Sequence, residues 1–113
     1  MSRLRRMVLC DRFFFITCRV HRLRGNLTAM EFALLADAVN ERRRGHGFLV
    51  TAWVFLPDHW HAIIFPRNPQ TLSGVLESIK VSATRLINRR RGERGGAFSG
   101  TVFRPRAAHG EGI

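Results

Sequence analysis

A chain of 113 residues that is 45% apolar has the length of one domain and enough apolar material to bury a core. Its formal net charge of +11 argues for a polyanionic partner, nucleic acid being the commonest. No apolar run approaches the roughly 20 residues of a membrane span, no h-region follows Arg3, Arg5 and Arg6, and Cys10 and Cys18 make no disulfide framework and are expected as reduced thiols in a cytosolic protein.

Residues 1–11 read as a basic arm. From Arg12 to Leu23 the sequence predicts a first strand, in which Phe13-Phe14-Phe15-Ile16 is a short apolar run that suits burial on both faces. Gly25-Asn26 breaks it. Thr28 then forms a capping box with Glu31, and Leu27 and Phe32 are placed for a hydrophobic staple. Leu34, Leu35, Ala38 and Val39 continue the apolar stripe to about Arg44. There Arg42, Arg43 and Arg44 complement the negative helix end, and Gly45 and Gly47 stop the helix.

Phe48 to Leu56 is rich in aromatic and β-branched residues and predicts a second strand. Pro57-Asp58 is a tight connection to a third, His59 to Phe65, in an antiparallel hairpin. After the loop from Pro66 to Gln70, Leu72, Val75, Leu76, Ile79, Ala83, Leu86 and Ile87 follow helical spacing behind Thr71 or Ser73 as cap. The polar side of this helix carries Lys80, Arg85, Asn88 and Arg89. A final strand from about Ala97 to Phe103 precedes a tail, 104–113, without periodicity. The order β-α-β-β-α-β is the split βαβ, or ferredoxin-like, α+β sandwich: an antiparallel sheet with both helices on one face and the other face open.

The chemistry-bearing pattern is His59-Trp60-His61. Side chains two apart on a strand share a face, so both imidazoles can close on one metal ion while Trp60 packs behind them. Two imidazoles make only part of a site. Asp58 is adjacent but faces away from a regular strand, and Glu77 and His21 are remote candidates for a third ligand. Two inert histidines capping a hairpin are the alternative. His21 reads as a surface or phosphate-contacting residue, His46 as a loop residue and His109 as part of the tail; Cys18 reads as core. All basic residues but Lys80 are arginine, whose planar fork matches phosphate oxygens. Arg19, Arg42, Arg43, Arg44, Lys80, Arg85, Arg89, Arg90 and Arg91 are the candidate nucleic-acid contacts, Arg94 and Arg3–Arg6 extend the clusters, and solvated helix ends are the alternative.

Three stretches carry a resemblance: Phe13-Phe14-Phe15-Ile16-Thr17-Cys18-Arg19, Trp53-Val54-Phe55-Leu56-Pro57-Asp58-His59-Trp60-His61, and Leu72-Ser73-Gly74-Val75-Leu76-Glu77-Ser78-Ile79-Lys80. On them the chain, from about Arg12 to Phe103, resembles the REP-associated tyrosine transposases, bacterial relatives of the small single-strand insertion-sequence transposases. The resemblance implies the ferredoxin-like fold, binding of single-stranded or hairpin REP-like DNA as monomer or homodimer, and a cytoplasmic, nucleoid-associated location. It assigns His59 and His61 to Mg²⁺ or Mn²⁺ on the scissile phosphate. A tyrosine on a later helix would attack that phosphate, leaving a 5′-phosphotyrosine and a free 3′-OH, and the third ligand usually comes from the same helix.

The sequence contains no tyrosine, so no catalytic nucleophile is assigned. Its tail, Arg104-Pro105-Arg106-Ala107-Ala108-His109-Gly110-Glu111-Gly112-Ile113, is compatible with a family-like helix read one base out of frame, an expectation of truncation or frameshift after Phe103. The reading is thus a transposase-family DNA-binding domain that does not itself complete metal-dependent strand cleavage. A non-enzymatic nucleic-acid-binding module and a product without function are the alternatives.

Overall fold

Residues 10–105 are described by the computed structural model; the Arg3–Arg6 cluster, His109 and the rest of the tail past Pro105 lie outside the described residues. In chain order the elements are β1 (Phe14–Val20), a 3-10 turn (Arg22–Arg24), α1 (Ala29–His46), β2 (Phe48–Phe55), β3 (His59–Pro66), α2 (Leu72–Arg91) and β4 (Phe98–Pro105). The strands form one antiparallel sheet in the order β2-β3-β1-β4. This is the split βαβ arrangement: β1 and β2 are joined through α1, with β3 inserted between them. Among the described residues no helix is long and apolar enough to cross a membrane.

Strand alternation sends one set of side chains into the core and the other to the uncovered face. Phe14, Ile16, Cys18 and Val20 of β1 and Trp60, Ala62 and Ile64 of β3 are buried, together with Leu35, Ala38 and Val39 of α1 and Leu72, Val75, Ile79, Ala83 and Ile87 of α2. The expectation that β1 is buried on both faces is therefore corrected. Phe15 points away from the helices and remains 39% exposed, because both helices pack on the other side.

Local signals explain the helix ends. Thr28 and Glu31 form the capping box, with the Glu31 N–H donating to Thr28 Oγ1 (3.3 Å) and the Thr28 N–H to Glu31 Oε1 (3.0 Å). Thr71 caps α2 by accepting from the Gly74 N–H at 3.2 Å. Gly45, expected to end α1, lies within it; the helix runs to His46 and stops at Gly47, whose left-handed φ of 63° a side chain resists. β1 ends at Val20 rather than Leu23, since His21 Nδ1 accepts from the Leu23 N–H (3.2 Å) and caps the 3-10 turn. At the other end β4 runs two residues further than expected: Arg104 and Pro105 pair with Phe15 and Phe14. Asp11, placed in the basic arm, docks onto the β3–α2 loop, its N–H donating to the Pro66 carbonyl (2.6 Å) and its Oδ1 accepting from the Asn68 N–H (3.0 Å).

Topology fixes where the arginine clusters go. The start of α1 meets the end of α2, and the Leu27 N–H donates to the Pro57 carbonyl (2.7 Å), so Arg89–Arg91 lie at the same end of the molecule as the Pro57-Asp58 turn. The end of α1 feeds β2, whose Phe48 pairs with Pro66 at the far end of β3. With 18 residues in α1, Arg42–Arg44 are therefore roughly 25 Å from the turn that bears His59.

Candidate nucleic-acid interface on the open sheet face

The β2–β3 turn delivers His59 and His61 to the uncovered face while Trp60 enters the core, as strand alternation requires. The two imidazole centroids are 4.9 Å apart with ring planes at 82°. Each ring has its Nδ1 engaged: that of His59 lies 2.7 Å from Asp58 Oδ1 and that of His61 lies 2.9 Å from Thr17 Oγ1. A carboxylate can only accept, so the His59 Nδ1 carries a proton, and in the neutral ring the Nε2 keeps the lone pair. Thr17 supplies the corresponding contact for His61 because the β1–β3 register sets the two side by side. The hydrogen bond from His59 is the largest cause holding the exposed Asp58 carboxyl below the usual aspartate range.

Asp58 is thus an orienting group for His59. Glu77 sits on α2, on the other side of the sheet from the imidazoles, and His21 caps the 3-10 turn. Among the described residues no group of three or more His, Cys, Asp or Glu side chains gathers as a metal site. The donor set fits part of a divalent-cation site: two imidazoles whose Nε2 atoms are not taken by a hydrogen bond among the described residues, with remaining positions open to water or phosphate oxygen.

Around the pair, the face is basic and apolar. Arg19 pairs in register with His59, and its exposed side chain shares the imidazole face. Phe15 stacks beside His61, with centroids 5.4 Å apart and planes at 18°. Phe15, Ala52, Val54, Ile63 and His61 line a shallow hollow of about 80 Å³. Across β1, Arg104 pairs with Phe15 and Val102 with Thr17, extending the face. The strand sequences contain no carboxylate.

The remaining predicted contacts divide into two kinds. Lys80 and Arg85 line a groove of about 480 Å³ between α2 and the start of β4, with Thr84, Gly96 and the acidic Glu77 on its walls. Arg44 and Arg89 are exposed, and Arg90 is half-exposed with its Nε 3.8 Å from Glu31 Oε2. Arg43 donates to Asn40 Oδ1 (3.0 Å), and Arg42 lies 4.0 Å from Glu41. Arg91 has a different role. Its Nε and Nη2 donate to the two oxygens of buried Glu31 (2.6 and 2.7 Å), Nη2 also donates to the Asn26 carbonyl (2.9 Å), and Nη1 donates to the Arg24 carbonyl. Its guanidinium is spent on binding α1, α2 and the 3-10 turn together. Arg24, not singled out from sequence, does the same for the α2–β4 loop, donating to Glu93 (2.7 Å) and to the Arg94 carbonyl (2.9 Å). Burial raises the pKa of the Cys18 thiol, a core residue as expected.

Fold and site define a small α+β domain whose four-stranded antiparallel sheet is open on one face and presents two oriented imidazoles in a basic surround. Over 85 residues the chain is 29% identical to the REP-associated tyrosine transposase of Escherichia coli, a match that covers 74% of this chain and 52% of that protein. It superposes on the structure of a REP-associated tyrosine transposase bound to a REP hairpin with a TM-score of 0.71 and 20% identity, covering 90% of this chain and 60% of the other. A crystal structure from Deinococcus radiodurans, described as a transposase, is matched with a TM-score of 0.70 and 11% identity over 87% of this chain and 81% of that one. No family model matches the chain. The chain thus resembles the REP-associated tyrosine transposases in sequence and shares their α+β fold. It spans about half the length of the curated relative it matches.

Proposed function

We propose that this domain binds hairpin or single-stranded DNA and seats a backbone phosphate against His59 and His61, with a divalent cation such as Mg²⁺ or Mn²⁺ between them. The observation that carries the reading is the oriented imidazole pair on the open face of a basic domain, among strands that carry no carboxylate. The similarity to a transposase, and the fold shared with one bound to a REP hairpin, support it. When bound, the cation would supply Lewis-acid polarisation of the phosphate. The chain's own part is to hold the two imidazoles side by side on the open face, each with its Nδ1 engaged by Asp58 or Thr17, and to attract the polyanion through Arg19, Lys80, Arg85, Arg89 and Arg90. Strand cleavage through a phenol oxygen is not assigned to these 113 residues, which contain no tyrosine.

Fluorescence anisotropy with a labelled DNA hairpin bearing a single-stranded extension tests this. Binding without metal, tightened by Mn²⁺ in the parent but not in His59→Ala or His61→Ala, is the expected result, with no covalent adduct on denaturing gels. The two-ligand donor set also favours a second reading, a binding module without metal chemistry. Affinity indifferent to Mn²⁺ and to both substitutions would select it. Absence of DNA binding would remove both.

A further inference from the structure

The helices leave one sheet face uncovered, and its composition is unusual for a surface. Two central strands place aromatic rings there: Phe15 of β1, 39% exposed, stacks against His61 of β3. Val54 and Val102 are more exposed still, at 54% and 66%. The hollow beside His61, at about 80 Å³, is far below the roughly 300–1,000 Å³ of a small-molecule pocket, so the face offers a wall to lie against. Arg19 and Arg104, both exposed, stand near its margins; Arg104 neighbours Phe15 across β1–β4, and Arg19 lies four residues along β1, about 13 Å away.

We infer that this face is a stacking platform for unpaired DNA bases, with Phe15 as the ring that a base covers and with Arg104 beside it on β4 and Arg19 farther along β1 as the phosphate contacts. This rests on the reading above, hairpin or single-stranded DNA, and deepens it to the ring and the arginines that would hold unpaired nucleotides. Charge decides the occupant. Asp58, bonded to His59 at the start of β3, is a carboxylate close to Arg19, and the strands themselves add none, so the face stays basic. A packed helix or a second copy would cover the Arg19 and Arg104 guanidinium groups, whereas a single strand brings both a π-face for Phe15 and phosphates for the arginines. A four-stranded sheet with aromatics on its two central strands is a geometry that suits splayed bases. Phe15 also adjoins His61, so a base on it would set the neighbouring phosphate beside the imidazoles.

The test uses the full chain, without metal, and a short single-stranded DNA containing 2-aminopurine, with a blunt hairpin closed by a non-nucleotide linker, so that every base is paired, titrated in parallel. The parent should quench the 2-aminopurine on binding. Phe15→Leu, which keeps an apolar side chain, should lose the quench and weaken single-strand binding about tenfold, more than it weakens binding of the blunt hairpin. Phe15→Trp should retain both and add an indole whose own emission the single strand quenches, an independent readout if the leucine variant folds poorly. Wild-type affinity and quench in folded Phe15→Leu, or no quenching of the added indole in Phe15→Trp, overturns the platform while hairpin binding keeps the DNA reading. Failure to bind either DNA overturns both. Light scattering that shows a dimer lost in Phe15→Leu would assign the face to a second copy and likewise overturn the proposal.

Discussion

At the scale of single residues, the imidazole pair depends on two neighbours whose roles are invisible in their own chemistry. Asp58 would serve as a ligand if it turned toward the pair, but its carboxylate is occupied by His59 Nδ1 at 2.7 Å. Thr17 is an ordinary strand residue until the register brings its hydroxyl 2.9 Å from His61. Partners of this kind typically change metal affinity by roughly 10–100-fold when removed. Asp58→Ala is therefore expected to weaken Mn²⁺ binding to the hairpin complex about tenfold, while the thermal midpoint stays within a few degrees of the parent, since Asp58 is exposed. A Mn²⁺ titration followed by electron paramagnetic resonance checks it, and parental Mn²⁺ affinity in this variant would deny Asp58 an orienting role.

At the scale of elements, the fold is fastened where α1 begins and α2 ends. Glu31 closes its own capping box and receives both arms of the Arg91 fork, so one buried carboxylate ties a helix start to a helix end 60 residues away. The bond to Arg91 is the main cause that lowers the Glu31 pKa, with burial opposing it. A carboxyl whose folded pKa lies below its unfolded one stabilises the fold fully above the unfolded value, about 4.3, and loses that contribution as pH falls through the folded value. Glu31→Gln leaves the Arg91 charge part-buried without its counter-charge, and a loss of about 3 kcal/mol is expected at neutral pH. The difference between parent and variant should begin to shrink below about pH 4.3 and close as pH falls through the lowered folded value, a pattern that urea melts across pH would reveal and that a constant difference would contradict. The same contact sets Arg91 apart from the phosphate contacts that the sequence suggests at the end of α2. Three consecutive arginines look alike in sequence, but among them Arg91 is the one that hydrogen-bonds Glu31, Asn26 and Arg24 together, Arg90 reaching Glu31 only at 3.8 Å.

At the scale of the molecule, signals local in sequence carry the order of elements: the capping box, the apolar helical stripe of α2 and the alternation around Trp60 are all legible. What is not legible depends on which surfaces meet. The run Phe13-Phe14-Phe15-Ile16 has no alternation to show which ring stays outside, and nothing in Arg42–Arg44 or Arg89–Arg90 tells that topology sets them at opposite ends. That separation has a measurable sign. A DNA spanning roughly 25 Å between the clusters would be held by two independent sets of phosphate contacts. Arg43→Gln with Arg44→Gln should lower the slope of log affinity against log salt by about 2 and leave the Mn²⁺ increment intact. A salt series by anisotropy would show this, and an unchanged slope would place the DNA away from the end of α1.

The hairpin turn also makes the site and the core share one coordinate. Trp60 is fully buried between two imidazoles that face outward, so position along β3 decides at once what fills the core and what meets the ligand. A slip of β3 by one residue against β1 and β2 would send both imidazoles inward and the indole out. Loss of the ligand site and loss of the fold would arrive together. Variation that preserves this domain is accordingly confined to substitution along β3, with changes of length pushed into the loops beyond it.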